Sequence, residues 1–185
     1  MPVVISLLRA VNVGGTAIIT MADLRALYES LKLKDVQTYI QSGNVVFRTE
    51  EKDLSKLAKR IQAAIEKRFG VKPGVILRTA SEMRDVVARN PFAKRRNVEP
   101  AKLHCYFLAD KLSAGACSQL KALPLQSEEL IPTGSELFIY FPDGMGKSKL
   151  PWSRLEKICG APGTARNWNS VAKLLGMAEA IESGN

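Results

Sequence analysis

The sequence predicts an α+β protein made of two similar halves, and three observations carry the prediction. Short runs rich in β-branched residues alternate with segments whose apolar residues recur every three to four positions, the patterns of strands and amphipathic helices. Two tight hairpins, about Gly43 and Gly134, fall at the same place in the two runs of elements. Around them, residues 40–47 align with residues 131–138 at an offset of 91, with an Ile, a hydroxyl residue, the Gly, a small polar residue and a Phe in register. No long Ser/Gly linker separates the halves, so residues 1–80 and 81–185 are expected to pack as one compact unit.

In the first half, residues 3–11 read as a buried strand ended by Asn12 and the Gly14-Gly15 pair. Thr20 stands as N-cap of a helix whose Met21, Leu24, Leu27 and Leu31 share a face. Residues 36–42 and 45–49 are strands joined at Gly43-Asn44, where glycine supplies the positive φ of a tight turn. Asp53 caps a longer helix with Leu54, Leu57, Ala58, Ile61, Ile65 and Phe69 along one side, and Gly70 stops it. Residues 75–78 give a fourth strand. The order βαββαβ is the split βαβ of the ferredoxin-like type.

The second half repeats much of this order. A helix runs from Ser81 to the Asn90-Pro91 step, and a loop with Lys94, Arg95 and Arg96 leads to a strand over residues 103–108. Ser113 starts a helix through Cys117, Leu120 and Leu123. Strands at 129–131 and 136–141 form the hairpin about Gly134. A helix over 152–158 and a last one over 169–181 complete a second ferredoxin-like half.

At 185 residues the chain can bury roughly 70% of its unfolded surface, so it requires neither a metal nor a disulfide staple. A composition of 46% hydrophobic and 24% charged residues excludes a disordered tail, a collagen-like chain and a coiled coil. The apolar stretch over residues 3–8, broken only by Ser6, falls far short of the roughly 20 residues of a membrane helix, as does every other, and no secretory leader pattern is expected at the start. No membrane partner is therefore expected. Cys105, Cys117 and Cys159 are widely spaced and accompanied by one histidine, which excludes a disulfide framework and a closed zinc site. The expectations are a reducing compartment, the cytoplasm, and neither cofactor nor metal.

Charge is the first informative deviation: 27 Lys and Arg against 18 Asp and Glu give +9 at neutral pH. Residues 1–80 hold 13 basic and 7 acidic groups and residues 81–185 hold 14 and 11, so the excess is not a tail. A basic surface attracts phosphates through long-range attraction and counterion release. Many globular proteins are basic without binding nucleic acid, so charge alone leaves the partner open.

Three polar clusters are candidate ligand-binding sites. Asn12, Gly14 and Gly15 form a loop whose backbone N–H groups could cradle an anion, although the third glycine of a dinucleotide fingerprint is absent and a turn needing positive φ accounts for it equally. Gln41, Ser42 and Asn44 sit at the hairpin end; Arg166, Asn167, Trp168 and Asn169 sit at a helix start. Amide and guanidinium groups give directional donors for a ligand, and the same groups close turns and cap helices. Trp168 reads as an anchor or as a stacking platform. Lys147-Ser148 does not make a phosphate loop, because Phe141 stands where the first glycine belongs and Pro151 interrupts the helix. An RNA-recognition surface would need aromatics on the central strands; Phe47, Phe138 and Tyr140 are the candidates, and packing inside the fold is the competing account. His104 lies in an apolar strand, and no nucleophile–base spacing can be read.

Three of these stretches together resemble a bacterial family of uncharacterised proteins, domain of unknown function 1697. They are Arg9-Ala10-Val11-Asn12-Val13-Gly14-Gly15, Thr38-Tyr39-Ile40-Gln41-Ser42-Gly43-Asn44-Val45-Val46-Phe47 and Ala165-Arg166-Asn167-Trp168-Asn169, and the resemblance covers nearly the whole chain. It implies an α+β fold with two ferredoxin-like halves and carries no activity. Ala10 and Thr16 stand where the family usually has Gly and Lys, which takes away a cation from the Gly-Gly loop.

The functional expectation is a cytoplasmic protein binding an anionic small molecule or single-stranded nucleic acid in one polar cleft. Arg9 and Arg166 would neutralise charge and Asn12, Gln41, Asn44 and Asn169 would orient the ligand. Two other classes stay open: an enzyme acting on a small phosphorylated or carboxylated substrate, and a homodimer or larger homo-oligomer serving as a ligand-free interaction module.

Overall fold

The computed structural model describes residues 1–12 and 18–184. Contacts along the chain divide it into two compact units, Met1–Arg84 with Lys173–Asn185, and Asp85–Ala172.

In the first unit, β1 (Val3–Arg9), β2 (Lys34–Tyr39), β3 (Asn44–Arg48) and β4 (Gly74–Thr79) form an antiparallel sheet in the order β2-β3-β1-β4. Helix α1 (Met21–Ser30) starts where the Thr20 hydroxyl accepts from the Asp23 N–H at 3.0 Å. Helix α2 (Leu54–Phe69) starts where Asp53 accepts from the Lys56 N–H at 2.9 Å, and Gly70 ends it with φ 72°. Each cap satisfies an amide that the helix itself leaves without a partner. Both helices cover one face of the sheet, where Val4, Leu8, Val45, Phe47 and Leu77 meet Leu24, Leu27, Tyr28, Leu57, Ile61 and Ile65. Each side chain so buried contributes about 1.5–3 kcal/mol. The Tyr28 hydroxyl and Ser6 Oγ, both buried, satisfy each other at 2.8 Å, and Tyr28 meets Phe47 edge-on. Burial pushes the Tyr28 phenol well above its ordinary pKa, against the pull of the Ser6 bond. The other sheet face, with Val3, Ile5, Leu7, Val46 and Ile76, is also closed to solvent. A strand buried on both faces reads as a nearly continuous apolar run, which in residues 3–8 only Ser6 interrupts.

Helix α3 (Ala80–Ala88) follows β4. In the second unit, β5 (Leu103–Phe107), β6 (Glu129–Thr133), β7 (Glu136–Tyr140) and β8 (Thr164–Asn167) form a second antiparallel sheet in the order β6-β7-β5-β8. Helix α4 (Ala114–Lys121) is capped by Ser113, whose hydroxyl accepts from the Ala116 N–H at 3.1 Å, and α5 (Trp152–Cys159) lies between β7 and β8. Tyr106, Leu108, Leu137, Ile139 and Phe141 pack with Leu120, Leu123 and Leu155. Helix α6 (Trp168–Ser183) follows β8, and its residues from Lys173 onward belong to the first unit, where Glu182 pairs with Arg84 at 2.9 Å. The protein is thus α+β, with two four-stranded antiparallel sheets in two similar halves.

Two expectations need correction. Arg166 does not belong to the start of the last helix but to β8, where it faces Cys105; Asn167, opposite His104, ends that strand and caps the helix that follows, as expected. Thr-Ala-Arg-Asn is too short and polar to show strand alternation, so only its pairing with β5 makes it a strand. The internal repeat is displaced by one residue from the sequence match. Val46 faces Ile5 as Phe138 faces Cys105, and the Leu8 N–H donates to the Gly43 carbonyl as the Leu108 N–H donates to that of Ser135, giving an offset of 92 along β3 and β7. Phe47 therefore packs with the helices while Phe138 lies on the opposite face, since one residue of slip exchanges the faces of a strand.

Candidate ligand-binding loops

The end of β1 and the β2–β3 hairpin are fastened together in the first unit. After Arg9 the backbone enters the left-handed region at Ala10 (φ 60°) and again at Asn12 (φ 57°). The Asn12 amide closes the loop that follows: Oδ1 accepts from the Ile19 N–H at 2.7 Å and Nδ2 donates to the Ile19 carbonyl at 2.9 Å. The same Nδ2 donates to the Gln41 carbonyl at 3.1 Å, which joins this loop to the hairpin. Asn tolerates the left-handed backbone that this bridge requires.

The hairpin closes on the pair Tyr39–Asn44 and carries four loop residues, 40–43. Ile40 is left-handed (φ 49°) and half exposed, a rare conformation for a β-branched side chain. Gly43 has φ 75°, and a Cβ there would lie 2.8 Å from Leu8 Cβ, so only glycine fits against β1. Asn44 is buried and donates to the Tyr39 carbonyl at 3.0 Å and to Ser42 Oγ at 2.9 Å. Three non-glycine left-handed residues in one loop pair cost about 1–2 kcal/mol each, and strain of this kind is held only where surrounding bonds fix it. Gln41 and Ser42 are exposed, and Arg9 is half-buried at the last position of β1, beside Gly74.

Asn12, Gln41, Ser42 and Asn44 are thus brought together, and Arg9 immediately precedes the left-handed Ala10. Gly14 and Gly15 lie outside the described residues. The remaining candidates belong to the second unit. Arg166 is buried; its Nη1 donates to Thr164 Oγ1 at 2.7 Å and to the Ala165 carbonyl at 2.8 Å, and burial pulls its pKa down to about 10. Asn167 is the cap of α6: its Oδ1 accepts from the Asn169 N–H at 3.0 Å and its Nδ2 donates to the Ala101 carbonyl at 2.7 Å. Trp168 packs on Phe138 with ring centroids 5.9 Å apart, as an anchor does. Asn169 is exposed.

Of the other candidates, Lys94 and Arg96 are exposed, and the rest are taken up by the fold. Phe47, Phe138 and Tyr140 are buried, so the central strands offer none of these rings to a base. In the basic loop, Arg95 lies over the Phe92 ring and pairs with Glu129, while Lys102 pairs with Glu99 at 2.8 Å. His104 is half-buried, edge-on to Phe141 at 5.3 Å; burial holds its pKa below the ordinary value, opposed by the Lys102 backbone. The Cys159 thiol is pushed up to about 11, first by burial and then by Glu156 and Cys117, so it stays protonated at neutral pH. Among the described residues no three His, Cys, Asp or Glu side chains are placed to hold a metal ion, and no helix is long and apolar enough to cross a membrane.

The left-handed backbone at Ile40 has no signature in residue type; the neighbouring Gln-Ser-Gly-Asn run is the available signal.

An α+β architecture of two similar halves, one of them carrying a strained and internally bonded loop pair, defines the class of protein. The chain belongs to a family described as "Protein of unknown function (DUF1697)", whose model matches residues 1–138. It is similar to the solved structure of conserved bacterial protein SP0830 from Streptococcus pneumoniae, with a TM-score of 0.74 and 22% identity over 96% of this chain and 98% of that one. A likeness at this identity shows the fold. No curated protein matches the chain.

Proposed function

We propose that the chain is a cytoplasmic protein that binds a phosphate-bearing ligand, a nucleotide or the end of a single-stranded nucleic acid, at the Asn12–Gln41 loop pair. The observation that supports this best is the Asn12 amide, which fixes two strained loops to each other and leaves Gln41 and Ser42 exposed at a fixed spacing. Preorganised polar groups lose little freedom on binding, which is where affinity for a small ligand is gained. In this reading Arg9 supplies positive charge, Gln41 and Ser42 orient the ligand, and Asn12 and Asn44 hold the loops. Arg166, Asn167, Trp168 and Asn169 serve the second half as buried support, helix cap and anchor. We read each half as ferredoxin-like, which the twice-repeated strand order supports.

The test is fluorescence anisotropy of a labelled single-stranded RNA at rising salt, alongside thermal shift with a nucleotide panel. A polyanion gives a steep fall of log affinity with log salt, and a mononucleotide pocket a shallow one. Either result should be weakened about tenfold by Arg9→Ala and by Gln41→Ala, at about 1.4 kcal/mol each. Absence of binding by both probe classes at low salt rejects the reading.

A further inference from the structure

We propose a second binding site, for small zwitterions carrying a phosphate or carboxylate together with an amine, at the far end of the β2–β3 ladder from the loop pair. There a cavity of about 530 Å³ opens between the α1–β2 turn, the β3–α2 loop and α2. That volume lies within the range of small-molecule sites. Its charged side chains fall into two groups: Lys32 comes from the turn, Lys34 from the start of β2 and Arg60 from α2, while Glu50 and Glu51 come from the β3–α2 loop.

Two of these groups are held by the fold. Arg60 Nη2 donates to the Leu31 carbonyl at 3.2 Å, where α1 ends and a cation is favoured. Glu51 Oε1 accepts from the Asp53 N–H at 3.1 Å, and its own N–H donates to Thr49 Oγ1 at 3.0 Å. Lys32, Lys34 and Glu50 are exposed, and among the described residues no ion pair within 4 Å joins the basic wall to the acidic one. A ligand with one charge is attracted by one wall and repelled by the other; a ligand with both charges is attracted by each.

Lys32 adds an independent observation. Helix α1 ends in a double closure in which the Lys32 N–H donates to the Glu29 carbonyl at 2.9 Å and the Leu33 N–H to the Tyr28 carbonyl at 3.4 Å. Lys32 is the left-handed residue of that closure (φ 62°), the position where glycine is usual. A lysine thus occupies a position that favours glycine, and it lines the cavity.

Isothermal titration of the full chain at low ionic strength with O-phosphoethanolamine, inorganic phosphate and ethanolamine tests the site. O-phosphoethanolamine should bind about tenfold tighter than either single-charge probe. Lys32→Gly should weaken that binding about fivefold while raising Tm by about 2–4 °C, a combination that removal of a merely structural lysine would not give. Glu50→Gln should erase the preference over inorganic phosphate. Lys121→Ala, at an exposed lysine that lines neither this cavity nor the loop pair, should leave all three isotherms unchanged. Equal or absent binding of the three probes, or wild-type affinity in Lys32→Gly, overturns the proposal.

Discussion

Arg78 and Arg166 occupy the same position in the two halves. Arg78 in β4 faces Ile5 of the central strand and Arg166 in β8 faces Cys105; each is 7% exposed, and each donates Nη1 to the carbonyl of the residue before it, at 3.0 and 2.8 Å. Their offset of 88 differs from that of the hairpin, which hides the correspondence in the sequence. A guanidinium kept from water needs its donors satisfied, and the local carbonyl does part of this in both halves.

Arg166→Ala therefore removes the bonds to Thr164 and Ala165 and leaves a void beside Cys105. The expected loss is about 2–4 kcal/mol in urea denaturation. Arg166→Met keeps the volume without the buried charge and should recover at least half of that loss. Equal losses in the two variants would contradict this account.

Ala10 sits at φ 60°, where a Cβ crowds the following carbonyl. Ala10→Gly relieves that crowding at a smaller entropic cost, so stability should rise by about 0.5–1 kcal/mol, read as a higher Tm.

Gly43 and Gly70 share a left-handed φ, 75° and 72°, but differ in surroundings: a Cβ at 43 meets Leu8, while one at 70 meets nothing within 4 Å. Gly70→Ala should cost about 1 kcal/mol, the backbone penalty alone, and Gly43→Ala about 3 kcal/mol, because β1 must also shift. Parallel chemical denaturation of the two variants separates strain from collision.

His104 has a folded-state pKa below 6.5 because burial disfavours the imidazolium. Below pH 6.5 the unfolded chain binds the proton before the folded one does, so stability is full above 6.5 and falls as pH drops toward the folded value. His104→Phe should flatten this part of the stability profile between pH 7.5 and 5. An unchanged slope would assign it to other groups.

Much of the architecture was legible because it is encoded locally. Thr20, Asp53 and Ser113 cap the helices that their hydroxyl or carboxylate chemistry announces. What was not legible depends on partners distant in the chain. Strand β8 exists because β5 lies beside it, and the one-residue shift between Phe47 and Phe138 is visible only once Ile5 and Cys105 are seen to face Val46 and Phe138. At the candidate site the amide-rich residues were named, but which of them are bonded internally was not. Asn12, Asn44 and Asn167 spend their side chains on carbonyls and hydroxyls of their own unit.

The two hairpins differ in one respect. The first spans four residues between Tyr39 and Asn44, whereas the second turns through Gly134 and Ser135 alone between Thr133 and Glu136. Both return the same backbone bond to the central strand, from Leu8 to Gly43 and from Leu108 to Ser135. The chain thus contains its own template for a trimmed first hairpin: exchanging residues 40–43 for a Gly-Ser dipeptide would excise the exposed loop while preserving the ladder on either side of it. The extra pair of residues lies outside the ladder, and what such an exchange would give up is the tie from Asn12 to Gln41.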